Sequence, residues 1–423
     1  MRLLPCLLLL FATLSTAAEP LLEKADLFEA GKGGYELYRI PGMVVTAKGT
    51  VLAYCEARKN AKGDWGPIDV LMRRSTDGAK TWSEPKAVVK VEGELPMNPV
   101  AVAQNLDAPG DNTVNNAVAI VDHQSGAVHF LYCLEYMRCY YLRSDDDGLT
   151  WTAPVEITST FEQFKPEYDW KVIATGPAHG IQVQRGKHQG RLVVPVWLST
   201  GTGGHAHRPS VTSTVFSDDH GKTWQRGAVA VPNTEEWVYP NETVVVELAD
   251  GSVMLNVRSE SKNHRRIVVE SPDGATKWSH PRFDEALLEP ISMGSITRYS
   301  LTSAQDKNRI VFANPHNLER LDGKAAEGKS RDRRNLSLKL SYDEGKTWAF
   351  SKAVEPGYGA YSDLAVLPDG TILCLYERGR DSDEALKKST SYAYLTVARC
   401  NLEWLTDGMD KTPAPLSKKK PGK

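Results

Sequence analysis

Ser341-Tyr342-Asp343-Glu344-Gly345-Lys346-Thr347-Trp348 is the stretch whose reading decides the fold, because it recurs. Ser144 to Trp151 reads SDDDGLTW, and Ser217 to Trp224 reads SDDHGKTW. Ser75 to Trp82 (STDGAKTW) and Ser271 to Trp278 (SPDGATKW) are weaker copies, with Ala79 and Ala275 in the glycine's place. The starting serines stand 69, 73, 54 and 70 residues apart. Repetition of Ser-x-Asp-x-Gly-x-Thr-Trp at such intervals marks a chain built from repeated units. The aspartate folds back onto nearby backbone N–H groups, and the glycine accepts the positive φ that ends such a turn. The tryptophan then buries a large ring against the sheet below. One interval of short strands matches one blade of a β-propeller.

The segments between these turns share one grammar. Thr243 to Leu248, Asp250-Gly251 and Val253 to Arg258 read as strand, turn, strand; so do Tyr361 to Leu367, Asp369-Gly370 and Ile372 to Tyr376. Helical periodicity is scarce, with Asp381 to Lys388 good for a turn or two. At a spacing near 70, the chain beyond residue 18 holds about six units. The expectation is an all-β, six-bladed propeller spanning 19–408 as one domain, followed by a basic Pro/Lys-rich tail, 409–423, that is disordered.

Charge and composition narrow the function. With 51 Lys and Arg against 53 Asp and Glu, the net charge of −2 gives no overall pull toward nucleic acid or an anionic membrane. Arg2, the apolar Leu3 to Leu14 and the small residues Thr16-Ala17-Ala18 read as a signal peptide, 1–18, too short to span a bilayer. The mature chain is therefore expected in a periplasm or outside the cell. Five scattered cysteines beyond it (Cys55, Cys133, Cys139, Cys374 and Cys400) read as buried thiols, neither a disulfide framework nor a zinc site. His205-Ala206-His207 lacks a third ligand at suitable spacing, so no metal and no cofactor are expected.

Charged residues at strand ends are the candidates for chemistry. Arg39 lies in an apolar run, Arg258 closes Val253 to Val257, Arg333 and Arg334 precede Leu336 to Leu340, and Glu377 follows Ile372 to Tyr376. Arginines from distant units that meet at a propeller axis form forks for a carboxylate; the alternative is that each is solvated or paired structurally.

These motifs resemble the exo-α-sialidases (neuraminidases) of the bacterial and lysosomal type. Tyr38-Arg39-Ile40-Pro41 is similar to the family's Phe/Tyr-Arg-Ile-Pro motif, the octads resemble its Asp boxes, and Arg333-Arg334-Asn335-Leu336-Ser337 resembles the segment bearing its third arginine. The resemblance runs from about Tyr35 to Ala398 and implies a six-bladed propeller acting on terminal sialic acids of glycans, glycoproteins or glycolipids. It implies that Arg39, Arg258 and Arg333, with Arg334 as the alternative to Arg333, clamp the substrate carboxylate. Asp64 becomes the acid/base and Tyr361 the nucleophile, with Glu242 as its base. Arg58 would approach the sugar's O4 side, and Glu377 would hold Arg39. Gly176-Pro177-Ala178-His179-Gly180-Ile181 also resembles a family segment near the site.

The residue types suit that chemistry. Sialic acid carries a carboxylate on its anomeric carbon, so a carboxylate nucleophile at 4 Å would meet repulsion of about 4 kcal/mol, or roughly three orders of magnitude in rate. A neutral phenol avoids this, but with a pKa near 10 it needs a base to take its proton. A tyrosine nucleophile is the known exception to the two-carboxylate scheme of glycoside hydrolysis. Two other readings compete: a silent propeller that binds sialylated glycans as a lectin, and a trans-sialidase.

Overall fold

The computed structural model describes residues 18–413 except 61–62, 92, 94, 321, 323–331 and 381–391. The signal-peptide reading of residues 1–17, the helical reading of Asp381 to Lys388 and the tail from 414 lie outside the described residues. Within them the fold is all-β, with only short helical turns such as Pro99–Ala103, Thr158–Glu162 and Leu402–Leu405.

Antiparallel meanders follow one another along the chain. Leu37–Val45, Val51–Arg58, Ile68–Ser75 and Lys86–Ala87 make one sheet; Thr243–Glu247, Val253–Val257, Arg265–Ser271 and Arg282–Leu288 make another. Among the described residues hydrogen bonding joins the strands into five sheets, the largest of seven strands. That one contains the 17-residue strand Phe350–Val366. Its first part, as far as Tyr358, pairs with Arg334–Ser341, and its second part, from Gly359, pairs with Ile372–Arg378. One continuous strand thus serves two successive ladders. The strand Leu22–Glu29 pairs with Tyr394–Cys400, so the two ends of the described chain meet in one sheet.

The sheets hold together through apolar seams between neighbours. Leu52 and Met72 of the first sheet pack with Val128 and Phe130 of the next sheet along the chain, built on Val114–Val121, Val128–Leu134 and Arg138–Ser144. Met43, Val51 and Ala53 pack with Leu373, Leu375 and Val397 of the last ladder. The repeated tryptophans sit in these seams: Trp224 is part of one cluster, and Trp82, Trp151, Trp278 and Trp348 pack against four others. A fully buried aromatic ring contributes on the order of 3 kcal/mol; Trp224 is buried and the other four are half-buried, so the octads are clamps between sheets as well as turns. The remaining seam, between the two ladders that share the long strand, has no octad; Trp404 packs against it instead.

Each octad closes in the way its residues dictate. The Gly345 N–H donates to Ser341 Oγ at 2.9 Å, the Ser341 hydroxyl donates to Asp343 at 2.8 Å, and Thr347 donates to Asp343 from both N–H and hydroxyl. The turn needs two successive left-handed residues, Glu344 and Gly345. In the first copy these are Gly78 (φ 74°) and Ala79 (φ 65°). The copy at Ser271 differs from the expectation: it is one residue tighter. Gly274, not Ala275, donates to Ser271 Oγ, and Thr276 meets Asp273 three residues on.

The packed chain also runs past the predicted boundary at 408. Asp410 is buried and accepts from Arg309 Nε and Nη2, both at 2.8 Å, and from the Tyr342 hydroxyl at 2.6 Å. Thr412 donates to Glu403. A buried carboxylate paired with a buried guanidinium is structural, whatever the composition of the segment around it.

Candidate active site

The cavity forms where strand ends from several sheets turn inward, and the backbone there is unusual. Ile40, Asn116, Tyr136 and Ile291, which all line it, have φ of 55°, 51°, 47° and 60°. A left-handed β-branched residue is rare and persists only where its surroundings hold it. The Ile40-Pro41-Gly42 segment shows how. Pro41 has no N–H to give the ladder, and pairing with Val51–Arg58 slips between Arg39 and Gly42. A Cβ on Gly42 would lie 2.1 Å from the Tyr54 ring. The motif therefore makes a bulge at the point where Arg39 meets the cavity.

Glu377 fixes that bulge. Its buried carboxylate accepts from Arg39 Nε at 2.7 Å, Ile40 N–H at 3.0 Å and Tyr361 N–H at 3.1 Å. Arg39 stacks over Tyr392 at 3.9 Å and lies 5.2 Å from the Tyr361 ring centroid. Arg333 lies 5.1 Å from the same ring and donates to the Tyr392 hydroxyl and the Ile291 carbonyl. Arg258 donates to the Tyr361 hydroxyl at 2.6 Å and pairs closely with Glu242. All three line one cavity with Asp64, Glu242 and Tyr361. Arg334 does not line it and pairs with Glu319 at 3.3 Å.

The Tyr361 hydroxyl donates to the two Glu242 oxygens at 2.7 and 2.6 Å. Burial pushes the phenol up; Arg258 opposes this and Glu242 reinforces it. In the free protein the proton stays on Tyr361, one hydrogen bond from its acceptor.

Asp64 stands across the cavity with its side chain 45% exposed. Burial would raise its carboxyl, but Arg58, then His207 and Arg39, hold it well below the usual carboxylate range. Arg58 is placed differently from expectation. Its side chain is 3% exposed and does not line the cavity. It donates to Glu56 from Nε at 3.1 Å and from Nη2 at 2.6 Å, and from Nη1 to Asp64 at 3.0 Å and the Gly63 carbonyl. It stands behind Asp64, with its fork already used.

Sequence reasoning missed much of the wall. Tyr136, Trp197 and His207 form an aromatic side with Trp65, and Arg208 pairs with Glu260 on the rim. Burial pushes His207 down to about 4, so its ring is neutral near pH 7. The His205-Ala206-His207 loop brings both of its histidines to the cavity wall. One available signal was the recurrence of a glutamate at the end of the second strand of a unit, at Glu56, Glu135 and Glu377. Gly176 to Ile181 lies beneath the cavity: Ala178 shares a cluster with Ile40 and Tyr361, and His179 bonds buried Asp363 at 2.7 Å.

Comparison with known proteins agrees with this geometry. Residues 49–399 match the BNR repeat-like domain family. The chain is 31% identical over 93% of its length to a sialidase of Micromonospora viridifaciens, and 28% identical over 82% to a sialidase of Bacteroides fragilis. It spans 56% and 61% of those two relatives' own lengths. Among solved structures, a Hadza microbial sialidase superposes with a TM-score of 0.68 at 25% identity, covering 90% of this chain and 69% of that one. A leech intramolecular trans-sialidase gives 0.69 at 20% identity, covering 91% and 71%, a likeness of fold. With this match along most of its length, the chain belongs to the BNR repeat-like domain family, and the relatives it resembles over most of its own length are sialidases.

Proposed function

We propose that this protein is a six-bladed propeller that hydrolyses terminal α-linked sialic acids with retention, Tyr361 being the nucleophile. The blade count rests on reading the two ladders that share Phe350–Val366 as separate blades, which makes six seams between neighbours. The observation that carries the mechanism is the Tyr361 hydroxyl held on Glu242 inside a cavity with three guanidinium groups.

Arg39, Arg258 and Arg333 hold the substrate carboxylate and set the anomeric carbon over Tyr361. Glu242 takes the phenol proton as the oxygen attacks, while Asp64 gives its proton to the departing glycosidic oxygen. The covalent glycosyl-tyrosine then breaks when water, deprotonated by Asp64, attacks the same carbon; Glu242 returns the proton to Tyr361. Two inversions give net retention. In the free protein Asp64 is anionic near pH 7. A bound carboxylate offsets part of the positive field of the arginines and so favours a proton on Asp64 when one is needed. Arg58 acts through Asp64 in this scheme. The leader-like Leu3 to Leu14 segment supports export to a periplasm or the medium, where sialylated glycoproteins and glycolipids are reachable.

Proton NMR of sialoside cleavage tests the reading. Free α-sialic acid is predicted to form first and then mutarotate. The β anomer as first product contradicts retention. Binding without cleavage indicates the lectin, and transfer to an added galactoside that outpaces hydrolysis indicates the trans-sialidase.

A further inference from the structure

We propose that Glu56 is a positioning residue of this site: it braces Arg58 behind Asp64 and fixes the Asn116 corner of the cavity, as Glu377 braces Arg39 and fixes Ile40. The two glutamates hold corresponding places. Glu56 lies near the end of Val51–Arg58 and Glu377 near the end of Ile372–Arg378, each the partner of a bulged strand, and both are buried, at 1% and 0% exposure. Each accepts from a guanidinium and from the N–H of a left-handed residue in the next sheet. For Glu377 that residue is Ile40; for Glu56 it is Asn116, bonded at 2.9 Å where the pairing of Val114–Val121 slips between Asn115 and Val118.

The two devices differ in what the arginine meets. Arg39 reaches the cavity directly, whereas Arg58 reaches it only through Asp64. With Nε and Nη2 on Glu56, the only Arg58 nitrogen directed at Asp64 is Nη1. Glu56 thereby aims the guanidinium and offsets its charge. The other titratable or charged groups whose fields act on Asp64 are Arg39, His207, His205 and Tyr136. Removing the charge of Glu56 while keeping its shape leaves Arg58 pulling harder on Asp64, so the proposed acid loses its proton more readily.

The inference rests on Asp64 being the acid, and the test separates the two claims. The pH profile of kcat, which reports the substrate-bound enzyme, is measured for wild type, Glu56→Gln, Glu56→Asp and Asp64→Asn. Each is assayed on a sialoside with an alkyl leaving group, which needs a proton, and on an aryl sialoside with an acidic phenol, which does not. Glu56→Gln is expected to move the basic limb on the alkyl substrate down by about one pH unit and to lower kcat near pH 7 about tenfold. The aryl substrate is expected to change little, and Glu56→Asp to restore the limb. A Glu56→Gln limb unmoved from wild type, or equal losses on both substrates, overturns the proposal. If Asp64→Asn cleaves the alkyl sialoside like wild type, the acid assignment fails whatever Glu56 does. Should Glu56→Gln fail to fold, Arg58→Lys, unable to hold both carboxylates, is expected to move the limb upward; an unmoved limb overturns the proposal.

Discussion

The octads at the sheet margins and the cavity use the same residue types in opposite ways. In the octads the third-position aspartate turns inward on its own loop: Asp146 accepts from the Thr150 hydroxyl and N–H and from Ser144. Its carboxylate is spent on the turn, and the turn repeats because its hydrogen bonds close within the octad. In the cavity the three proposed reacting side chains, Tyr361, Glu242 and Asp64, have no repeated counterparts among the lining residues. They come from separate sheets or loops and line the same cavity. A repeated scaffold thus confines its symmetry to parts satisfied locally, and chemistry gathers where the repeat is broken.

The largest predicted effect breaks the cavity and spares the scaffold. Tyr361→Phe removes one oxygen and should lower kcat by at least about 10³-fold, with KM and melting temperature little changed; a parallel loss of binding or stability argues for a structural role. Next comes the clamp. Arg333→Ala should weaken binding of a sialic acid analogue by roughly ten- to a hundredfold, the worth of a charged hydrogen bond, as read by calorimetry.

Scaffold changes should do the reverse. Gly221 has φ 82°, and a Cβ there would lie 2.5 Å from the Tyr141 hydroxyl. Gly221→Ala should cost about 2 kcal/mol in denaturant unfolding while turnover per folded molecule stays at the wild-type value. Asp146 gives the pH-dependent version. Its carboxyl is held at about 2, first by the Thr150 hydroxyl, against about 3.9 when unfolded. A depressed carboxyl stabilises the fold above its unfolded value and loses that contribution as pH falls toward the folded one. The stability gap between wild type and Asp146→Asn should therefore be full above about pH 4 and close toward pH 2. The smallest effect sharpens the contrast between neighbours: Arg334→Ala should change sialoside binding less than about twofold, because its exposed pair with Glu319 contributes little.

What the sequence made legible follows the same division. The octads and Tyr38-Arg39-Ile40-Pro41 could be read because their function is written within a few adjacent residues. Tyr136, Trp197 and Glu260 could not, because they reach the cavity through a hairpin tip, a strand end and a loop that only the packing of sheets brings together. Arg58 was recognisable as a site arginine, but its burial between two carboxylates is a tertiary fact. The tighter turn at Ser271 was hidden because its Trp278 keeps the usual spacing while Gly274 shifts by one. The boundary at 408 failed for a related reason: a Pro/Lys-rich composition says nothing of Asp410 meeting Arg309 across the fold.

The central claim is that a neutral phenol, held on Glu242, attacks the anomeric carbon. A 2,3-difluoro sialic acid slows the breakdown of such an intermediate and allows it to be weighed. The account predicts a single glycosyl adduct by intact mass, mapped by peptide sequencing to Tyr361. An adduct on Asp64 or Glu242, with Tyr361 unmodified, would contradict it.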